Sequence, residues 1–257
     1  MAAIDCMNPP SSPSPGIFRA AVDYWRGLSS RRGVLAATGG LFSAFWGFLR
    51  DSTPERLKAR FGDADYDWDF HVNTTSGAVE WRERLLGVFH SPYQPTEPGE
   101  FRQMLEVLAQ QADLSQFTFI DLGSGKGRTL LMASDYPFRR IIGVELFPAL
   151  HEIARANNMS YKSGSQKCFA IESICADATA FPLPDAPLVL YLFNPFPEIG
   201  LRRAVANFTA SLRQNPRPLF AVYHNPQLEK IFADDPAWRK IAGTHQYSIF
   251  CAAVGQS

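Results

Sequence analysis

The sequence predicts a doubly wound, mostly parallel α/β sheet behind a partly helical N-terminal extension, and three observations carry that expectation. The first is the run Phe119-Ile120-Asp121-Leu122-Gly123-Ser124-Gly125-Lys126-Gly127-Arg128, in which an apolar strand gives way to glycine at every second position and then to a helix. The second is the apolar stretch Ile141-Ile142-Gly143-Val144, which stops at Glu145. The third is the continued alternation of short apolar runs with amphipathic stretches to the end of the chain.

In chain order, residues 1–16 are rich in Ser and Pro and read as a disordered tail. Residues 17–92 form the extension, and residues 93–257 form the α/β domain. An apolar-periodic helix lies around Phe101, Met104, Leu105 and Leu108. After the two strands already named, a third runs from Lys167 to Ala176 and ends at Asp177-Ala178; Leu188 to Phe193 is a buried fourth. Leu219 to Tyr223 reads as a fifth strand and Tyr247 to Val254 as the last. Helices fit between them at Arg128–Ser134, Ala149–Asn157, Leu201–Leu212 and Gln227–Phe232.

The glycine turn is the candidate binding site. Gly123, Gly125 and Gly127 let the backbone turn sharply and approach a ligand, while the helix that follows points free N–H groups and its positive end at the turn. Asp121, closing the first strand, can hold a ligand ammonium. Glu145, closing the second, stands where ribose hydroxyls are bound in such folds. A Walker-type phosphate loop is excluded, because Ile120 holds its first glycine position and Gly127 follows Lys126. A dinucleotide Gly-x-Gly-x-x-Gly fingerprint is disfavoured by the every-second-residue spacing and by the acid before it.

The Asp-x-Gly-x-Gly-x-Gly arrangement resembles motif I of class I S-adenosylmethionine-dependent methyltransferases, and the resemblance spans about residues 101–254. It implies a seven-stranded Rossmann-like sheet and S-adenosylmethionine as cofactor. By residue, it implies cofactor contacts from Asp121, Gly123, Ser124, Gly125, Gly127 and Glu145, an adenine acceptor at Asp177 and a backbone N–H donor at Ala178. The competing reading of Asp177 is a cap on a helix spanning Ala178 to Phe181. The chain is also similar to uncharacterised bacterial class I methyltransferases, a likeness that reaches upstream to about Tyr66.

At the end of the fourth strand stands Asn194-Pro195-Phe196-Pro197, where the carboxyl ends of the strands open onto the crevice. It resembles motif IV of methyltransferases that modify nitrogen, without the second proline of the Asn-Pro-Pro-Tyr type, and is closer to the Asn-x-Phe-x pattern of the non-SET lysine methyltransferases. Tyr93-Gln94-Pro95-Thr96-Glu97-Pro98 resembles the Tyr-x-x-Thr loop before the sheet in those enzymes. The resemblance implies catalytic roles for Asn194, Pro195, Phe196 and Tyr93, a cofactor-covering role for Thr96 and a protein acceptor. Plain readings stand beside these: a strand-to-helix turn for 194–197 and a proline-rich linker for 93–98.

The implied chemistry is direct displacement, in which the protein aligns acceptor, methyl and sulfur and removes water. A lysine acceptor, with an ordinary pKa of about 10.4, must first lose a proton. Of the histidines at 90, 151, 224 and 245, His224 at the end of the fifth strand is the best placed base for an oxygen acceptor; its alternative is an ordinary strand-end residue.

The whole chain has 257 residues and is 46% hydrophobic, enough for one sizeable core. Lys plus Arg equals Asp plus Glu at 25 each, which gives no global basic surface for nucleic acid. Cys6, Cys168, Cys175 and Cys251 lack metal-site spacing and a secreted framework, so a reducing, cytoplasmic setting is expected. The charge-free stretch 33–49 falls short of the roughly 20 residues that span a bilayer, which favours a packed or interfacial helix over an anchor and leaves membrane contact open. Asp63 to Asp69, with Tyr66 and Trp68, reads as a solvated acidic loop, with basic-peptide binding as its alternative.

Overall fold

The computed structural model describes residues 64–75 and 95–252, with a few helical positions between 22 and 40. Its centre is a seven-stranded sheet of β1 (Thr118–Leu122), β2 (Arg140–Glu145), β3 (Ile171–Cys175), β4 (Leu188–Phe193), β5 (Leu219–His224), β6 (Trp238–Gly243) and β7 (Tyr247–Ala252). The spatial order is β3-β2-β1-β4-β5-β7-β6. The first five strands are parallel, and β7 is antiparallel to both β5 and β6. The order reverses between β1 and β4, so the crevice of an open α/β sheet falls between the carboxyl ends of those two strands.

Helices α1 (Ala64–Phe70), α2 (Pro98–Ala109), α3 (Arg128–Ala133), α4 (Pro148–Ser160), α5 (Glu198–Gln214) and α6 (Lys230–Ala233) complete the described fold. The near-continuous apolar sequence of β4 is what a strand covered on both faces requires. On one face Leu190, Leu192 and Tyr223 pack with Leu201, Val205 and Phe208 of α5. On the other, Phe119, Val189 and Tyr191 pack with Phe101, Met104, Leu105 and Leu108 of α2. Those α2 residues recur at helical spacing and are essentially inaccessible, each contributing about 1.5–3 kcal/mol by burial. Pro98 suits the first turn of α2, where its missing N–H costs nothing.

Several boundaries differ from the sequence expectation. β3 starts at Ile171 rather than Lys167, because the amides of Lys167 and Cys168 donate to the Ser134 carbonyl and hold that stretch against the end of α3. α4 and α5 are longer than 149–157 and 201–212: α4 runs from Pro148 to Ser160 and α5 from Glu198 to Gln214. α6 is displaced from 227–232, since a turn through Asn225, Pro226 and Glu229 uses up the residues before it. β6 was not foreseen: Arg239 and Lys240 are exposed on an edge strand that is irregular between Lys240 and Ala242, so its apolar alternation is broken. The segment 63–69 is not a loop, as α1 occupies most of it.

The tail 1–16, most of 33–49, Tyr93 and Val254 lie outside the described residues. Among the described residues no helix is long and apolar enough to cross a membrane.

Candidate active site

The β1–α3 loop folds over the end of β2. Its Gly123 and Ser124 amides donate to the Val144 carbonyl at 2.8 and 3.2 Å. Gly123, Gly125 and Gly127 take φ of 91°, 54° and 83°, the left-handed region in which a Cβ is disfavoured. Glu145 receives the loop: Oε2 accepts from the Gly125 amide at 2.7 Å and Oε1 from the Phe147 amide at 2.9 Å.

Ser124 turns its side chain away from the crevice. A Cβ on Gly143 of β2 would fall 2.6 Å from Ser124 Oγ and 2.6 Å from Leu130 Cδ1, so the strand glycine makes the space into which this hydroxyl points. Ser124 Oγ is buried and has no hydrogen-bond partner among the described residues. The loop therefore offers its backbone, rather than this hydroxyl, to the crevice.

Asp121, next to last in β1, is almost wholly buried and accepts a hydrogen bond from Thr129 Oγ1 of α3. Burial, with the nearby Glu145 carboxylate adding to it, pushes its pKa up to about 7, against the lowering effect of Thr129. No cationic side chain is paired with it among the described residues. A ligand ammonium would supply the missing counter-charge.

The loop's own cations face elsewhere. Lys126 Nζ donates to Asn73 Oδ1 at 3.0 Å and the Thr75 carbonyl at 2.7 Å. Arg128 Nε donates to Thr74 Oγ1 at 2.6 Å, its guanidinium approaches Asp67 at 3.4 Å, and it lies 4.9 Å from the Tyr66 ring centroid. Asp67 in turn accepts from the Thr74 and Thr75 amides at 2.6 and 2.8 Å. Asn157 of α4 closes the clamp, donating to the Asn73 and Lys126 carbonyls at 2.9 Å each. The acidic segment expected to be solvated is thus a brace for the glycine loop, with only Trp68 and Asp69 of the 66–69 stretch well exposed.

The 194–197 turn sits directly against this loop, for a Cβ on Gly123 would fall 2.7 Å from Pro195 Cβ. Asn194 adopts φ 46°, a left-handed conformation that Asn tolerates better than most residues, and its Oδ1 accepts from Tyr223 OH at 3.1 Å. Phe196 is half-buried and packs partly on the core beneath α5 rather than standing free. Beyond β3, Asp177 caps a short 3-10 turn at Ala178–Ala180, its Oδ1 accepting from Thr179 N at 2.9 Å and Thr179 Oγ1 at 2.7 Å. The capping reading is therefore realised, while Asp177 Oδ2 lies 3.9 Å from Arg203. Ala178 is buried next to it.

Thr96 meets the sheet through a polar chain that passes from β4 to the end of β5 and on to α2. Thr96 Oγ1 and Tyr191 OH are 3.0 Å apart, Tyr191 OH and His224 Nδ1 2.8 Å, and His224 Nε2 and Glu100 Oε2 3.1 Å. Phe193 stacks on the His224 ring at 4.0 Å, and Gln246 Nε2 donates to Glu100 Oε1 at 3.0 Å. Burial lowers the His224 pKa against the opposing pull of Glu100, and raises that of Tyr191 well above its ordinary value. Tyr191 and Glu100 were not singled out in the sequence: the first is hidden in an apolar run, the second in the polar face of a helix.

Residues 120–194, from β1 to the turn after β4, match the family model described as the methyltransferase domain. A search of the curated proteins finds no match. Solved structures with a similar trace include an RNA methyltransferase from Salinibacter ruber in complex with S-adenosyl-L-homocysteine, at 18% identity and a TM-score of 0.42, covering 64% of this chain and 95% of that one. TrmN from Thermus thermophilus aligns at 16% identity and a TM-score of 0.42, covering 60% of this chain and 47% of its own. The YcgJ protein of Bacillus subtilis aligns at 21% identity and a TM-score of 0.36, covering 51% and 55%. Likenesses this distant do not bear on the acceptor.

By class, then, the chain is an enzyme with a methyltransferase domain. The residues present fit S-adenosylmethionine as the cofactor of that domain: a glycine loop in which a Cβ on Gly123 or Gly127 would crowd Pro195 or Ala154, a buried carboxyl lacking a cation among the described residues, and a second carboxylate one strand away.

Proposed function

We propose that this enzyme methylates a nitrogen acceptor, a protein lysine, at the crevice between β1 and β4. The observation that supports this most is the contact of Pro195 with Gly123, because it brings the Asn194-Pro195 turn and its carbonyl acceptors beside the cofactor loop. In this reading Asp121 takes the cofactor ammonium, Glu145 the ribose hydroxyls, Asp177 and Ala178 the adenine edge, and the backbone of Gly123, Ser124, Gly125 and Gly127 lines the cradle. Thr96 covers the methionine end. Tyr93 belongs to the same covering loop in the resemblance and is carried as part of the acceptor channel.

The cofactor supplies a methyl group already activated on sulfonium, so the chain's task is alignment and exclusion of water. Asn194 Oδ1, fixed by the Tyr223 hydroxyl, orients the acceptor N–H, and the Asn194 and Pro195 carbonyls offer further acceptors. Phe196 contributes an edge of aromatic surface to the acceptor's apolar stem.

The test is transfer of labelled methyl from S-adenosylmethionine into an extract separated into protein, nucleic-acid and small-molecule fractions, with Asn194→Ala as control. Label in protein that is lost in the variant supports the reading and directs mass spectrometry to the lysine. Label confined to another fraction overturns the lysine acceptor in favour of a base or metabolite amine.

A further inference from the structure

We propose that Thr96, Tyr191, His224 and Glu100 form a proton exit from the acceptor nitrogen to solvent, an inference that rests on the amine acceptor argued above. The four side chains come from the loop before α2, from β4, from the end of β5 and from α2, at successive separations of 3.0, 2.8 and 3.1 Å. Three of the four are buried, and the last is not: the Glu100 side chain is 37% exposed against 5% for His224. The chain thus runs from a buried hydroxyl to water.

Its direction follows from donor and acceptor inventory. An ionised Glu100 only accepts, so a neutral His224 must carry its proton on Nε2 and leave Nδ1 bare. Bare Nδ1 accepts from Tyr191 OH, and the Tyr191 oxygen then accepts from Thr96 OH. The Thr96 oxygen is left with lone pairs for a proton arriving from the acceptor. Burial favours the neutral imidazole and the intact phenol that this ordering needs. The groups facing His224 are Glu100 from α2 and Tyr191 from β4, with Asp121 of β1 further along and Gln246 fixing the far carboxylate oxygen.

The step balances as a relay. The acceptor ammonium breaks one N–H bond as an O–H bond forms at Thr96. Thr96 passes its own proton to Tyr191, Tyr191 passes one to Nδ1, and Nε2 passes one to the Glu100 carboxylate, from which water removes it. One proton leaves the nitrogen, one reaches solvent, and the nitrogen's lone pair becomes free to attack. Glu100, His224 and Tyr191 act through Thr96 and are positioning residues.

The test is Tyr191→Phe, which removes one hydroxyl from the middle of the relay. Label transfer to the extract's protein fraction is measured from pH 6 to pH 10, alongside calorimetric affinity for S-adenosylhomocysteine. The relay predicts an affinity within about twofold of wild type, a rate about tenfold lower at pH 7, and recovery as pH nears the ordinary lysine pKa of about 10.4, where water can remove the proton unaided. A rate unchanged at pH 7, or lowered equally at every pH, overturns it. Nitrogen NMR of the His224 ring in the wild-type protein is independent of any acceptor: Nε2–H with bare Nδ1 agrees with the relay, whereas Nδ1–H or a doubly protonated ring overturns it. Absence of label in the protein fraction of wild type sinks the lysine reading alone, and the NMR result still decides the relay.

Discussion

Gly123 and Pro195 touch so closely that a single added methyl at residue 123 would stand 2.7 Å from Pro195 Cβ. The glycine loop after β1 and the 194–197 turn after β4 are therefore one wall rather than two neighbouring loops. Any group that widens their contact moves the turn relative to the glycine loop.

Gly123→Ala tests that wall. The new Cβ meets both a positive φ of 91° and the Pro195 ring, so a stability loss of about 1–3 kcal/mol is expected. Thermal unfolding gives the stability, and transfer activity should fall further than the stability loss alone explains. Gly99→Ala, at an exposed site with nothing within 4 Å, is the control and should be near neutral.

Asp121→Asn should part stability from binding. In the ligand-free enzyme the Asp121 pKa lies near 7, above its ordinary 3.8, so wild type loses stability as pH rises from about 3.8 to 7 and stays lower beyond. The variant has no such loss. Its advantage in unfolding free energy should grow across that window and level off above it. Cofactor affinity should do the reverse: in wild type it improves as pH rises through 7 and Asp121 ionises against the ligand ammonium, while in the variant it stays weak and flat. Denaturant unfolding and calorimetry at pH 5 and pH 8 check both halves.

Asn194 carries two roles that substitutions can separate. Asn194→Ala loses the amide and places Cβ chemistry less suited to φ 46°, while Asn194→Gly loses the amide and relaxes the backbone. Transfer should fall in both, by about tenfold or more, with cofactor affinity retained, whereas melting temperature should drop only in the alanine variant. Tyr223→Phe frees the amide without removing it, and an intermediate rate is expected.

Arg128→Met tests the brace. Arg128 is 2% exposed and its partner Asp67 is partly buried, so removing the cation leaves that carboxylate to the Thr74 and Thr75 donors and strips Thr74 of a partner, at a cost of about 1–3 kcal/mol. Limited proteolysis should then cut within 64–75 faster than in wild type.

The chain announces its sheet through uninterrupted apolar runs: β4 was bounded correctly because a strand buried on both faces leaves no polar residue inside it. Trp238–Gly243 escaped the same reasoning because an edge strand carries Arg239 and Lys240 to solvent. The glycine loop was legible from spacing, yet the roles of Lys126 and Arg128 were not, since their partners lie more than fifty residues upstream. Tyr191 is the sharpest case. Its hydroxyl joins a relay assembled from three other elements, and nothing local to Leu190 or Leu192 distinguishes it from core.

Calorimetric titration of S-adenosylhomocysteine at pH 8 into wild type, Asp121→Asn and Glu145→Ala reads cofactor binding at these two carboxylates. One site per chain is expected in wild type, with an affinity lower by about tenfold or more in each variant, roughly 1.4 kcal/mol at least. Equal affinity in all three proteins would contradict the placement of the cofactor between the ends of β1 and β2.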